Sequence, residues 1–107
     1  MSSSKVALLK TSPRTVLEDY QRLMELAEYD TVLDPGADTA LKINISWHFF
    51  YPACSTTPWQ LEGVIQALQA DGYKELIPAQ NGTVVVDSYV GEVNNRHKAA
   101  LERYDLQ

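Results

Sequence analysis

The strongest constraint in this chain is a two-residue alternation that leads into a well-marked helix start. Leu41, Ile43, Ile45 and Trp47 alternate with Ala40, Lys42, Asn44 and Ser46, the pattern of a strand buried on one face. After a polar and aromatic loop, Thr57-Pro58-Trp59-Gln60 opens a helix. Thr57 is its cap, Pro58 takes the first helical position where a missing N–H costs nothing, and Gln60 completes a capping box. Leu61, Val64, Ile65 and Leu68 form the apolar stripe, and Gly72 is the stop. Glu75-Leu76-Ile77-Pro78-Ala79 then reads as another strand. A strand, a helix and a strand in this order make a β-α-β unit with a right-handed crossover and parallel pairing.

The flanks extend the same alternation. Lys5-Val6-Ala7-Leu8-Leu9-Lys10 reads as a short buried strand. Thr11-Ser12-Pro13 reads as a helix start capped by Ser12. Val16, Tyr20, Leu23, Met24 and Ala27 follow at helical spacing, and the helix ends near Tyr29, before the turn Asp34-Pro35-Gly36. Asn81-Gly82 reads as a turn, Val84-Val85-Val86 as a strand, and residues 94–104 as a helix with Ala99, Ala100 and Leu101 inward. The expected fold is α/β: an open, mainly parallel sheet flanked by helices, a Rossmann-like three-layer sandwich in one domain over residues 1–107. A parallel sheet needs both faces covered. Three or four strands ending just after a helix therefore suggest the amino-terminal portion of a larger domain, or edges covered by a second copy in a homo-oligomer.

Charge narrows the partners. Nine Lys and Arg against fourteen Asp and Glu leave a net charge of −5. A cationic surface is the starting point for nucleic acid and for anionic membranes, so neither is expected as a partner. One cysteine makes no intrachain disulfide and holds no zinc or iron–sulfur cluster alone. No metal and no cofactor are expected. The apolar stretches fall short of the ~20 residues of a spanning helix, and Val6-Ala7-Leu8-Leu9 is too short for a secretory segment. The expectation is a soluble, cytoplasmic protein. Gly36, Gly63, Gly72, Gly82 and Gly91 form neither GxGxxG nor a P-loop, which opposes classical nucleotide binding.

The candidate site is the loop joining the alternating strand to the helix at Thr57. Ligands of open α/β sheets bind beyond the carboxyl ends of strands, where loops enter helices. Lys42, Asn44, His48, Cys54, Ser55, Thr56 and Thr57 are its candidate ligand-binding residues. They offer a cation, hydroxyl and amide donors, and a helix start with free N–H groups, a seat for a phosphate or small carboxylate. The bland reading is that the hydroxyls cap the helix and Asn44 and Ser46 satisfy backbone. Cys54 before a helix start, with His48 in the same loop, is the pattern of an activated thiol; a buried, packed cysteine is the commoner outcome. His97, between Arg96 and Lys98, is expected to be solvated. Trp47, Phe49, Phe50, Tyr51 and Trp59 surround the loop, either packing the sheet's end or covering a planar ligand.

Lys42-Ile43-Asn44, Ser55-Thr56-Thr57-Pro58, and Val64-Ile65 leading to Asp71-Gly72-Tyr73 resemble the amino-terminal part of the domain-of-unknown-function family 362. That family carries a strand ending in Lys-x-Asn, a Thr-Thr-x-Pro-like loop, and a helix closing on glycine before the next strand. The resemblance implies an α/β fold and marks Lys42, Asn44, Thr56 and Thr57. Many members carry an attached ferredoxin-type Cys-rich segment and are described as iron–sulfur proteins. This sequence has no CxxCxxC, so the resemblance brings no cluster with it. Two functions compete: binding of a small anionic ligand at this loop, and a non-catalytic assembly module that pairs through an open sheet edge. A Cys54 hydrolase or transferase ranks below both, for want of a visible acid, base and orienter.

Overall fold

The computed structural model describes residues 3–82 and 86–106. Its elements are α1 (Val16–Leu26), a 3₁₀ turn (Tyr29–Thr31), β1 (Thr39–Lys42), α2 (Pro58–Ala70), β2 (Leu76–Ala79), α3 (Ser88–Asn94) and α4 (His97–Arg103). β1 and β2 pair in parallel, in register from Thr39 opposite Leu76 to Lys42 opposite Ala79. α2 is the crossover between them, so the expected β-α-β unit forms. The protein is mixed α/β, with a two-stranded sheet among the described residues.

α2 is the helix the sequence marks best. Thr57 sits in an extended conformation with its hydroxyl accepting from Gln60 N–H, and Pro58 follows at the first position. The Thr57 carbonyl accepts from Leu61 N–H. Only the forward half of the capping box forms. Gly72 closes the helix with φ +89°, a conformation that costs glycine nothing. Leu61, Ile65 and Leu68 are buried and meet Ile43, Leu76 and Tyr73 in one core, which Ala100, Leu101 and Leu106 close from the carboxyl end. α2 packs against α1 on one side and α4 on the other. Tyr73 is buried against the Tyr29 ring at 5.7 Å and donates to the Leu33 carbonyl at 2.8 Å, tying down the connection before β1. Burial, and then its hydrogen bond to Asp71, hold the Tyr29 phenol far above its ordinary range.

Three expectations are corrected. Residues 5–10 form no strand. Lys5 pairs with Glu28, just past α1, at 2.6 Å, Leu9 lines a cleft with Val16, Tyr20 and Leu23 of α1, and Thr11 after them donates to Asp19 at 2.8 Å, while Val6 and Leu8 face outward. α1 begins at Val16 and not at Pro13, because residues 12–15 form a turn (Thr15 N–H to Ser12 O, 3.1 Å). The Thr15 hydroxyl goes to the buried Asp19 at 2.7 Å. Hydrogen bonds from Thr15 and Thr11 hold that carboxyl below its ordinary range. The helix expected over residues 94–104 forms as α4 but starts only at His97, where Arg96 before it turns left-handed at φ 66°, and a further helix that was not expected, α3, precedes it over Ser88–Asn94. The strand expected at Val84-Val85-Val86 falls mostly outside the described residues; Val86 itself is buried and is not in a strand.

Candidate functional site

The alternation continues past the paired part of β1: Ile43 and Ile45 are buried, Asn44 and Ser46 exposed. This delivers the chain to the loop over residues 43–57 with its polar side outward. The loop then folds back on its own strand. Asn44 N–H donates to the Thr56 hydroxyl at 3.0 Å, and Thr56 N–H donates to the Asn44 carbonyl at 2.9 Å. Asn44 Nδ2 donates to Ser46 Oγ at 2.9 Å and to the Cys54 carbonyl at 3.2 Å. Ser46 N–H donates to Ser55 Oγ at 3.1 Å. The candidate residues are therefore brought together, but largely to bond one another.

Lys42 is exposed and its ammonium donates to the adjacent Ile43 carbonyl at 3.0 Å. The Asp71 and Asp87 carboxylates are engaged elsewhere, Asp71 by Tyr29 and Asp87 as the cap of α3. Thr57 spends its hydroxyl on Gln60 N–H at 3.3 Å. Pro58 has no N–H, so Trp59 N–H is the first-turn donor of α2 without a partner among the described residues. His48 turns away from Cys54; its Nε2 accepts from Asp87 N–H. Cys54 is exposed, on a turn closed by its N–H to the Tyr51 carbonyl at 2.9 Å. A maleimide is expected to label Cys54 to completion in the native protein at neutral pH, and protection until denaturant is added would contradict its placement here.

The residues that sequence reading missed lie under the loop, at the junction of α3 and α4. Asn95 is buried and donates to the Trp47 carbonyl and to the Gly91 carbonyl, each at 2.9 Å. His97, expected to be solvated, is fully buried; its Nε2–H donates to the Thr56 carbonyl. Burial pushes the His97 imidazolium to a lower pKa, against the raising effects of the Thr56 carbonyl and of Glu92. Arg96 lies over the Phe50 ring, 4.8 Å from its centroid. One signal for His97 was available: His97, Ala100 and Leu101 sit at helical spacing, and all three are buried.

Pinned in this way, the loop and the first turn of α2 hold their aromatic side chains out. Trp47 is 41% exposed, Phe49 59%, Tyr51 53% and Trp59 39%. They do not pack the end of the sheet. The Trp47 and Phe49 rings are 6.4 Å apart, and Trp59 also walls a groove of about 460 Å³ with Thr11, Ser12, Pro13 and Val16. Among the described residues no helix is long and apolar enough to cross a membrane. Searches of family models, of curated proteins and of solved structures return no match to this chain, so the likeness to family 362 rests on the quoted residues alone.

Proposed function

We propose that this chain is a non-catalytic binding module that docks an acidic, partly apolar polypeptide segment on its aromatic loop. The observation that carries the reading is the set Trp47, Phe49 and Tyr51, exposed on a loop fixed by its own hydrogen bonds, with Trp59 exposed in the first turn of α2 that follows it. Exposed apolar groups that adjoin one another mark interaction sites, and aromatic and arginine side chains dominate binding energy where they are held rigid. Charge favours the choice of partner. Residues 39–61 contain no Asp or Glu, in a chain with fourteen of them, while Lys42 lies in that stretch and Arg96 stands over Phe50. A positive, aromatic patch on an otherwise acidic protein selects an acidic partner.

Pairing through a sheet edge is the less favoured route to assembly. Successive residues of a parallel strand bond to opposite sides. Thr39 N–H and Ile43 N–H go to the Glu75 and Ala79 carbonyls, so Ala40 and Lys42 carry the outer edge of β1. Thr56 covers that edge at Asn44, and Pro78 on β2 has no N–H to offer. The Rossmann-like three-layer sandwich remains our proposal for the wider frame, supported by the parallel β1-α2-β2 crossover.

The test is fluorescence titration with a synthetic peptide alternating Glu with Leu and Phe, beside its Lys counterpart. Trp47 and Trp59 report the binding. A dissociation constant on the order of micromolar is expected for the acidic peptide, with loss in Trp47→Ser and Phe49→Ser and weakening in Lys42→Glu. Equal binding of both peptides, or of neither, would overturn the proposal. A second reading, a phosphate or small carboxylate at the start of α2, is favoured by the unpartnered Trp59 N–H. It expects calorimetric heat on adding inorganic phosphate that disappears in Lys42→Ala.

A further inference from the structure

The chain has two histidines, and both make hydrogen bonds that tie the same loop to the segment that ends in α3 and α4. His48, within the loop, accepts Asp87 N–H at Nε2; His97, on α4, donates from Nε2 to the Thr56 carbonyl just before α2. We propose that His48 and His97 form an acid-released latch that holds the 43–57 loop against α3 and α4 while both rings are neutral.

The hydrogen-bond roles require neutrality. An N–H donor faces His48 Nε2, so that nitrogen must carry a lone pair; a proton there removes the acceptor and sets two N–H groups against each other. His97 must carry its proton on Nε2 to serve the Thr56 carbonyl. Its Nδ1 is then the unprotonated nitrogen, and it is buried with no partner. A second proton there creates a buried cation whose new N–H has nothing to donate to.

The surrounding charges are few. Glu92 of α3 is the carboxylate whose field reaches His97, and it favours the charged ring. It also accepts from Gln80 Nε2 at 2.8 Å. On α2, Glu62 is paired with Arg103; on α4 itself, Lys98 and Glu102 lie 4.0 Å apart. Asp87 faces His48, but its carboxylate is occupied by the N–H groups of Tyr89 and Val90. Desolvation prevails at His97 and lowers its pKa. The sign follows for the His97 tie: it is complete above the ordinary histidine value of about 6.5 and weakens as pH falls towards the lowered value of the buried ring. Asn95 to the Trp47 carbonyl, and Arg96 on Phe50, are the ties that acid leaves in place. The loop loosens without the domain unfolding.

Amide hydrogen exchange on the full chain tests this at about pH 7.5 and about pH 5, the span over which histidine titrates, corrected for intrinsic rates. Protection of Thr56 and Asp87 N–H is expected to fall about tenfold or more, while Ile65 and Leu68 in α2 hold theirs. His48→Gln supplies an acceptor that does not titrate, and His97→Gln a donor that does not. The double variant is expected to keep the loop protected at the lower pH. If that variant does not fold, His48→Gln alone is expected to hold Asp87 N–H. Unchanged wild-type protection at about pH 5 overturns the proposal. So does parallel loss in α2, or acid release that persists in the variants.

Discussion

Gly63→Val is expected to destabilise the chain by about 3 kcal/mol, the upper end of the cost of overpacking a tight contact. A Cβ built at Gly63 stands 2.7 Å from Tyr20 Cδ2 and 2.8 Å from Tyr20 Cβ. Rotating the Tyr20 ring relieves the first contact but not the second, because that Cβ is fixed to the α1 backbone. α1 must therefore retreat from α2. Helix propensity works in the opposite direction, since glycine inside a helix is worth about 1 kcal/mol less than alanine. The clash wins because a contact below 3 Å with a main-chain-bound carbon has no soft way out. Urea titration is expected to show a lower midpoint with the slope unchanged. Gly63→Ala is expected to fall between wild type and valine. Gly82→Ala, whose nearest neighbour is the Ser88 hydroxyl at 3.7 Å, serves as the control with little effect. A Gly63→Ala chain more stable than wild type would mean that α1 and α2 do not approach this closely.

Where local chemistry decides an element, the sequence was legible. Thr57-Pro58 begins α2 and Gly72 ends it because a side-chain acceptor, a ring without N–H and a residue free to take φ +89° admit few alternatives. The alternation at residues 41–46 survives past the end of β1 because Ile43 and Ile45 are buried, while Ile43 N–H still bonds the Ala79 carbonyl and Asn44 exchanges hydrogen bonds with Thr56. Where a distant group decides, legibility ends. Val6 and Leu8 look like strand material, yet Lys5–Glu28 and Thr11–Asp19 lay that segment on α1. The break at Arg96 comes without glycine or proline, the usual marks of a helix end. In the candidate site, proximity was readable and purpose was not. Asn44, Ser46, Ser55 and Thr56 do converge, but a spacing pattern does not say whether donors meet a ligand or each other. His97 was hidden by its charged neighbours Arg96 and Lys98, which point it towards solvent on composition alone.

Asn95→Ala is expected to cost about 2 kcal/mol and to free the aromatic loop. Asn95 is 1% exposed, and its Nδ2 binds the Trp47 carbonyl on the loop and the Gly91 carbonyl one turn back in α3. Alanine removes both donors and leaves two acceptors short in a site that water does not freely reach, each loss costing about 1–3 kcal/mol before relaxation. The Gly91 carbonyl keeps Asn95 N–H as a partner at 2.9 Å, so most of the cost falls at Trp47. Asn95→Asp keeps the shape but turns a carboxylate towards two carbonyl oxygens; it is expected to cost more than alanine. The two variants separate lost donation from lost packing. Chymotrypsin, which cuts after aromatic residues not followed by proline, reads the local effect: cleavage at Trp47, Phe49 or Phe50 is expected to accelerate in Asn95→Ala while the α1–α2 pair stays resistant. Docking of the acidic peptide is expected to weaken in the same variant, although Asn95 is buried beneath the surface that binds. That follows from rigidity: aromatic side chains held in place bind without first losing conformational freedom, and Asn95 is what holds Trp47.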